Sequence, residues 1–280
     1  MSVGVGLALA GVSAIASSSA HAVLKSSDNK VATQAWSQLI GLLIALPFAF
    51  WVGLPERGIW LWLFAGWVLH TIYYLVLNYS YDRSDYTAAY PIARGVTPIV
   101  AAGLGIAFLN DNLGMLSLSG ILVISIGITL IAYKKGITKA GLLAAGGAGL
   151  LNGLISITDA QGMRVAADPV NFIVWYYIVD GFAMPLLLIK QAMGQLRAVA
   201  IANARNGIAA GIFALFAFLP TLIAFRIAPV GAVSAIRATS VIFSLFLGGG
   251  ILRENIDRRR LAGALLVTIG AIAIIVGSIY

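Results

Sequence analysis

Residues 90–127, YPIARGVTPIVAAGLGIAFLNDNLGMLSLSGILVISIG, align without a gap on residues 233–270, VSAIRATSVIFSLFLGGGILRENIDRRRLAGALLVTIG. Arg94 falls on Arg237, Gly105 on Gly248, Asp111 on Glu254, Asn112 on Asn255, Gly120 on Gly263 and Gly127 on Gly270. Apolar residues match one another by chance in any two membrane helices, but a matched arginine, acid, asparagine and three glycines do not. The chain is therefore a duplication.

Working outward, the remaining sequence supplies the rest of each copy. Of the 280 residues 60% are hydrophobic and 10% charged, with mean hydropathy +0.97, far from the composition of an aqueous domain. A helix needs about 20 apolar residues to cross a hydrocarbon core. Ten such segments lie near residues 2–24, 32–53, 58–80, 84–109, 114–133, 138–158, 168–190, 205–227, 228–252 and 259–279. The fold class expected is an all-α membrane protein of ten transmembrane helices in two halves, residues 1–135 and 136–280. GLALAG at Gly6 matches GLLAAG at Gly141 at a shift eight residues shorter than the first, so extra chain is expected between segments 6 and 9, in a loop around residues 191–204. Five helices per half is odd, so the second half enters from the opposite side, which makes the repeat inverted and centres any shared site near the bilayer midplane.

Charge sets the expected orientation. Loops after odd-numbered segments carry thirteen Lys and Arg residues, and loops after even-numbered ones carry Arg57, Arg164 and Arg226. By the positive-inside rule both termini face away from the cytoplasm. The basic residues thus read as topology control, with no nucleic-acid partner. SSSAHA, ending segment 1, offers a small-residue cleavage pattern, but no basic stretch precedes the apolar run and the segment is read as a span. The absence of cysteine excludes disulfides and thiolate metal sites. No phosphate loop, HExxH or nucleophile–base arrangement occurs, so no ATPase domain, metal or cofactor is expected.

LNDNLGMLSLSGILVISIGITLI and LRENIDRRRLAGALLVTIGAIAI resemble the end of the repeat in the ten-helix EamA-type members of the drug/metabolite transporter superfamily. There a helix closes on an acidic residue and the next carries a Gly-x(6)-Gly pair. YPIARG in segment 4 and SAHAVLK at the end of segment 1 are similar to one bacterial branch. The resemblance implies an inner-membrane secondary transporter that exports or exchanges a small metabolite by alternating access, with segments 1–4 and 6–9 around a cavity and segments 5 and 10 at the periphery. It implies amino acids or related zwitterions first; phosphate- or phosphonate-bearing anions come second, since Arg94 would suit them equally. An embedded enzyme and a non-transporting scaffold are the rivals of different class. The lipid bilayer and a small-molecule substrate are the expected partners, with protons, a counter-substrate or the substrate gradient as the driving force and the chain a monomer or homodimer. The family is often drawn with both termini in the cytoplasm; the charge count gives the opposite and is kept.

The candidate site is made of polar groups set in apolar helices. Arg94 and Arg237 lie about ten residues into their segments, too deep to snorkel, and a central arginine costs about 2.5–3.5 kcal/mol to insert unless it meets water or a partner. The guanidinium fork suits a carboxylate or phosphate; the alternative is a structural tie to backbone carbonyls. Pro91 and Pro98 cannot donate to the carbonyls of Thr87 and Arg94, so segment 4 is expected to be interrupted where segment 9 is not. Asp180 reads as a proton-coupling group, as an ion-pair partner of Arg94 or Arg237, or as the mark of a helix break at Gly181. His70, Tyr74 and Asn78 form one stripe at helical spacing, and Asn152, Ser156 and Asp159 another, with Asp159 expected near the membrane surface. Tyr86 and Tyr90 lead by single turns to Arg94, and complete the expected binding set of Arg94, Tyr90, Tyr86, His70, Tyr74, Asn152 and Arg237. The spaced glycines at 263, 270 and 277 and Gly149-x(3)-Gly153 read as surfaces for close helix approach.

Overall fold

The computed structural model describes residues 2–84, 86–132, 138–251 and 257–278, without the side chains of 86, 87 and 246–251. The described chain is helical throughout: α1 (Val3–Ser26), α2 (Lys30–Val52), α3 (Trp60–Arg83), α4 (Tyr86–Leu109), α5 (Met115–Ala132), α6 (Lys139–Val165), α7 (Pro169–Asp180), α8 (Ala183–Gln191), α9 (Leu196–Ile227), α10 (Val230–Ala238), α11 (Ser240–Ile251) and α12 (Arg258–Gly277). Among the described residues, nine stretches are long and apolar enough to cross a membrane. The ten sequence segments are all present. Two of them, the seventh and the ninth, are each split into a pair of shorter helices.

Helix starts follow local chemistry. Asn29, Thr138, Asp168 and Asp257 each accept a backbone N–H of the first turn, of Ala32, Gly141, Val170 and Arg260, and Pro169 occupies a first-turn position where no amide donor is needed. The extra residues assigned to a loop near 191–204 are instead helical from Leu196. They extend α9 to 32 residues, about 48 Å at 1.5 Å per residue, well beyond a core of about 30 Å.

The expected contrast between segments 4 and 9 is reversed. α4 runs unbroken from Tyr86 to Leu109 through Pro91 and Pro98, so neither proline breaks the helix. Segment 9 breaks at Thr239, whose hydroxyl donates to the carbonyl of Ile236 at 2.7 Å while its N–H takes the same carbonyl at 3.1 Å. A hydroxyl bonding back to the preceding turn competes with the helix ladder. The break in segment 7 follows Asp180, at Gly181 and Phe182. Gln38 of α2 spans it: its side-chain oxygen accepts the N–H of Met184 at 2.8 Å, and its amide donates to Asp180 Oδ2 at 3.3 Å.

The inverted arrangement is visible in the pairing of α5 with α12. A Cβ placed on Gly120 would sit 2.6 Å from the carbonyl oxygen of Gly270, and one on Gly270 the same distance from that of Gly120; Gly127 and Gly263 meet likewise at 2.7 and 2.6 Å. In sequence Gly120 corresponds to Gly263 and Gly127 to Gly270. Each glycine thus touches the counterpart of the other, as two copies of one helix do when crossed antiparallel about a two-fold axis.

Asp111, the acid that closes the first repeat's helix, holds one end of the bundle. Its Oδ1 pairs with Arg164 Nη1 at 2.7 Å and its Oδ2 accepts the N–H of Val230, the first residue of α10, at 2.6 Å. Arg164 also donates to the carbonyls of Phe225 and Ala228, both at 3.0 Å, and Arg226 to those of Met163 and Ala166. Two bases read as loop charges are therefore structural. Its repeat mate Glu254 lies outside the described residues. Asp111→Ala removes two bonds of a charged group and leaves the half-buried Arg164 guanidinium with backbone carbonyls and no carboxylate. It is expected to cost about 3 kcal/mol, seen as a lower melting temperature in detergent; an unchanged melt would remove this contact from the account.

Candidate substrate site

α1 presents Ser13, Ser17 and His21 on one face at four-residue spacing. The repeat's two arginines converge there from opposite halves. Arg237, from α10, donates from Nε to Ser13 Oγ at 3.0 Å, and Ser13 also bonds Thr221 of α9 at 2.8 Å. Arg94, from α4, donates from Nη2 to Ser17 Oγ, and the same nitrogen lies 3.4 Å from His21 Nε2. Because guanidinium only donates, that ring nitrogen is the accepting one, and Nδ1–H points to the Tyr81 hydroxyl at 3.2 Å.

Aromatic faces complete the lining. The Arg94 guanidinium lies 5.1 Å from the ring centre of Tyr90, and that of Arg237 5.6 Å from Phe218, within cation–π range. The Tyr90 hydroxyl bonds Ser240 at 2.8 Å, tying α4 to the first residue of α11 across the two halves. Both arginines are 4% exposed, and among the described residues neither forms an ion pair with a carboxylate. A buried cation held only by hydroxyls and rings keeps much of its desolvation cost. An entering anion would offset it.

Of the three readings open for Asp180, the pairing with an arginine is not what forms among the described residues. Asp180 bonds Gln38 and faces His70, with Oδ1 3.9 Å from His70 Nδ1. On the other side of the same ring, His70 Nε2 lies 3.6 Å from Asp159 Oδ2 and 3.3 Å from the Tyr176 hydroxyl. Asp159 is 3% exposed, because α6 packs along α3 at that level and turns the carboxylate onto His70. The Phe218 ring touches both polar groups, 5.8 Å from the His70 ring and 5.6 Å from the Arg237 guanidinium. The interior thus carries two positive charges, at Arg94 and Arg237, and two acids sharing one histidine, with Phe218 in contact with both Arg237 and His70.

The other sequence candidates divide. Tyr74 lies 6.1 Å from the His70 ring, and with His21, Gln34 and Phe218 it lines a cavity of about 50 Å³. Asn78 is committed to Gln34 by bonds of 2.8 and 3.3 Å in both directions, fastening α3 to α2. Asn152 donates to Thr97 at 3.3 Å and helps seat α6 on α4; Ser156 links onward to Ser234 of α10 at 3.4 Å. Tyr86 opens α4, and its side chain lies outside the described residues. The sequence reading missed Ser13, Ser17 and His21, although SAIASSSAH shows their spacing. A larger cleft of about 780 Å³ among α4, α5, α6 and α12 is lined by Ile92, Ile99, Leu122 and Ile126, a surface for acyl chains and not for a polar solute.

Comparison with known proteins agrees with this architecture. The family profile described as "EamA-like transporter family" matches residues 2–133 and again 139–276. Among 29 matching chains of solved structure, one crystal structure is 15% identical, superposes with a TM-score of 0.69, and is matched over 97% of its length and 95% of this chain. At that identity the likeness speaks for the fold alone. No curated protein matches.

Proposed function

We propose that this chain, which belongs to the EamA-like transporter family, is a secondary carrier of small metabolites bearing a carboxylate, with amino acids and related zwitterions as the substrate class. One observation carries the reading: Arg94 and Arg237, counterparts in the two halves, both reach serines one turn apart on α1 and have no ion-pair partner among the described residues. A guanidinium pair so placed receives a carboxylate. The acids around His70 supply the complementary place for an ammonium group, which favours a zwitterion over a simple anion. The second reading, a phosphate- or phosphonate-bearing anion, is favoured by the same two arginines, whose summed charge matches a dianion.

The cavity of about 50 Å³ beside His21, Tyr74 and Phe218 has room for a few waters, so admitting a metabolite requires the helices to part. The broken segments are the natural places for that motion: α10 ends one residue after Arg237, and α7 ends on Asp180. Halves comprising residues 1–135 and 136–280 rock about the site. The carrier lies in a bacterial inner membrane with both termini away from the cytoplasm, where the positive-inside count puts them, and works as an exporter or exchanger. Purified protein in liposomes, loaded with unlabelled L-amino acids, should accumulate the labelled mixture by counterflow. If organic phosphates exchange and amino acids do not, the second reading replaces the first.

A further inference from the structure

His70 faces a carboxylate at each ring nitrogen, Asp159 from α6 and Asp180 from α7. A neutral imidazole has one N–H and one lone pair. Whichever nitrogen carries the proton, the other turns a lone pair towards an acid. His70 Nδ1 and Asp180 Oδ1 are both buried without a hydrogen-bond partner, and their 3.9 Å separation is too long for one. One more proton, giving imidazolium, makes both nitrogens donors and lets that gap close. The histidine belongs to the first half of the chain and the two acids to the second.

We propose that the Asp159–His70–Asp180 cluster is the carrier's proton site, a clasp between the two halves for which a transported proton and the ammonium group of the substrate compete. The proposal rests on the carrier reading above and adds the coupling ion and its place. Other groups facing the cluster are Tyr74 on α3, Tyr176 and Tyr177 on α7, Gln38 on α2, and Arg237 on α10. Arg237 disfavours a second positive charge here, so the site holds one cation at a time. When ammonium arrives, the imidazolium gives its ring proton to water on the side then open, and the cluster keeps its charge. Competition of this kind makes the exchange a proton antiport.

The chain has two histidines, His21 and His70, so nitrogen-15 histidine spectra of the protein in lipid nanodiscs resolve each, with His21→Gln used for assignment. Across the pH range in which the protein stays folded, His70 is expected to pass from a doubly protonated to a neutral ring, and to lose the doubly protonated form over that range in the Asp159→Asn, Asp180→Asn double variant. A ring that stays one neutral tautomer throughout in the unmodified protein overturns the proposal. In liposomes with an imposed pH gradient, His70→Gln should lower the ratio of gradient-driven accumulation to counterflow of a labelled L-amino-acid mixture at least tenfold. An unchanged ratio also overturns the proposal. Asp180→Asn serves as the second variant where His70→Gln is not recovered folded. If the unmodified protein carries no amino acid, the substrate reading falls, and the spectra still decide the proton site.

Discussion

Replacement of Arg94 by glutamine is expected to weaken substrate binding by about 100-fold, the equivalent of roughly 3 kcal/mol for losing one charged partner of a buried carboxylate. The reason is positional. Arg94 is held by Ser17, His21 and the face of Tyr90, so its fork is fixed before a ligand arrives and little ordering remains to oppose binding. Arg94→Lys keeps the charge and loses the fork, and about a tenfold loss is expected. Arg237→Gln should match Arg94→Gln within a few fold, since the two residues are buried alike and anchored alike on α1. Counterflow measured against substrate concentration checks all three. Unchanged half-saturation in Arg94→Gln would remove that guanidinium from the site.

The second large effect concerns stability. Gly270→Val is expected to abolish recovery of folded protein, with a cost of about 3 kcal/mol or more. A Cβ there would lie 2.6 Å from the backbone oxygen of Gly120 and 2.9 Å from the backbone nitrogen of Ile124. Backbone cannot move aside as a side chain can, so α5 and α12 must separate. Gly103 is the matched control: it is a helical glycine with nothing within 4 Å of an added Cβ, and Gly103→Val should leave the melting temperature nearly unchanged. Size-exclusion recovery and thermal melting of both variants in detergent test the pair. Equal recovery would mean that the glycine crossing does not hold the halves together.

The duplication was legible because it is written in one gapless register that includes polar residues, and Arg94 with Arg237 followed from it directly. The helix breaks were not legible in the same way. Proline was expected to interrupt segment 4, yet α4 stays continuous, whereas segment 9 breaks at a threonine hydroxyl whose competing bond leaves no mark at the level of residue type. The break at Gly181 was among the readings open for Asp180, but its plug, Gln38 of α2, comes from a residue 142 positions away. The same distance hid the acid cluster. His70, Asp159 and Asp180 sit on three helices, and only packing of α3 against α6 and α7 turns them onto one ring. The α1 stripe was readable from spacing alone, since three polar residues recur every fourth position in an apolar helix. Small hydroxyls in a membrane helix draw less attention than charges, although here they are what the charges bind.

The central claim is that the two arginines recognise a carboxylate, and pairs of solutes that differ in that group alone test it most directly. In counterflow with liposome-reconstituted protein, each L-amino acid is compared with the primary amine of the same side chain, which keeps the ammonium and lacks the carboxylate. Exchange of the amino acid with at least tenfold loss for its amine is the predicted result; equal exchange of the two would contradict the account.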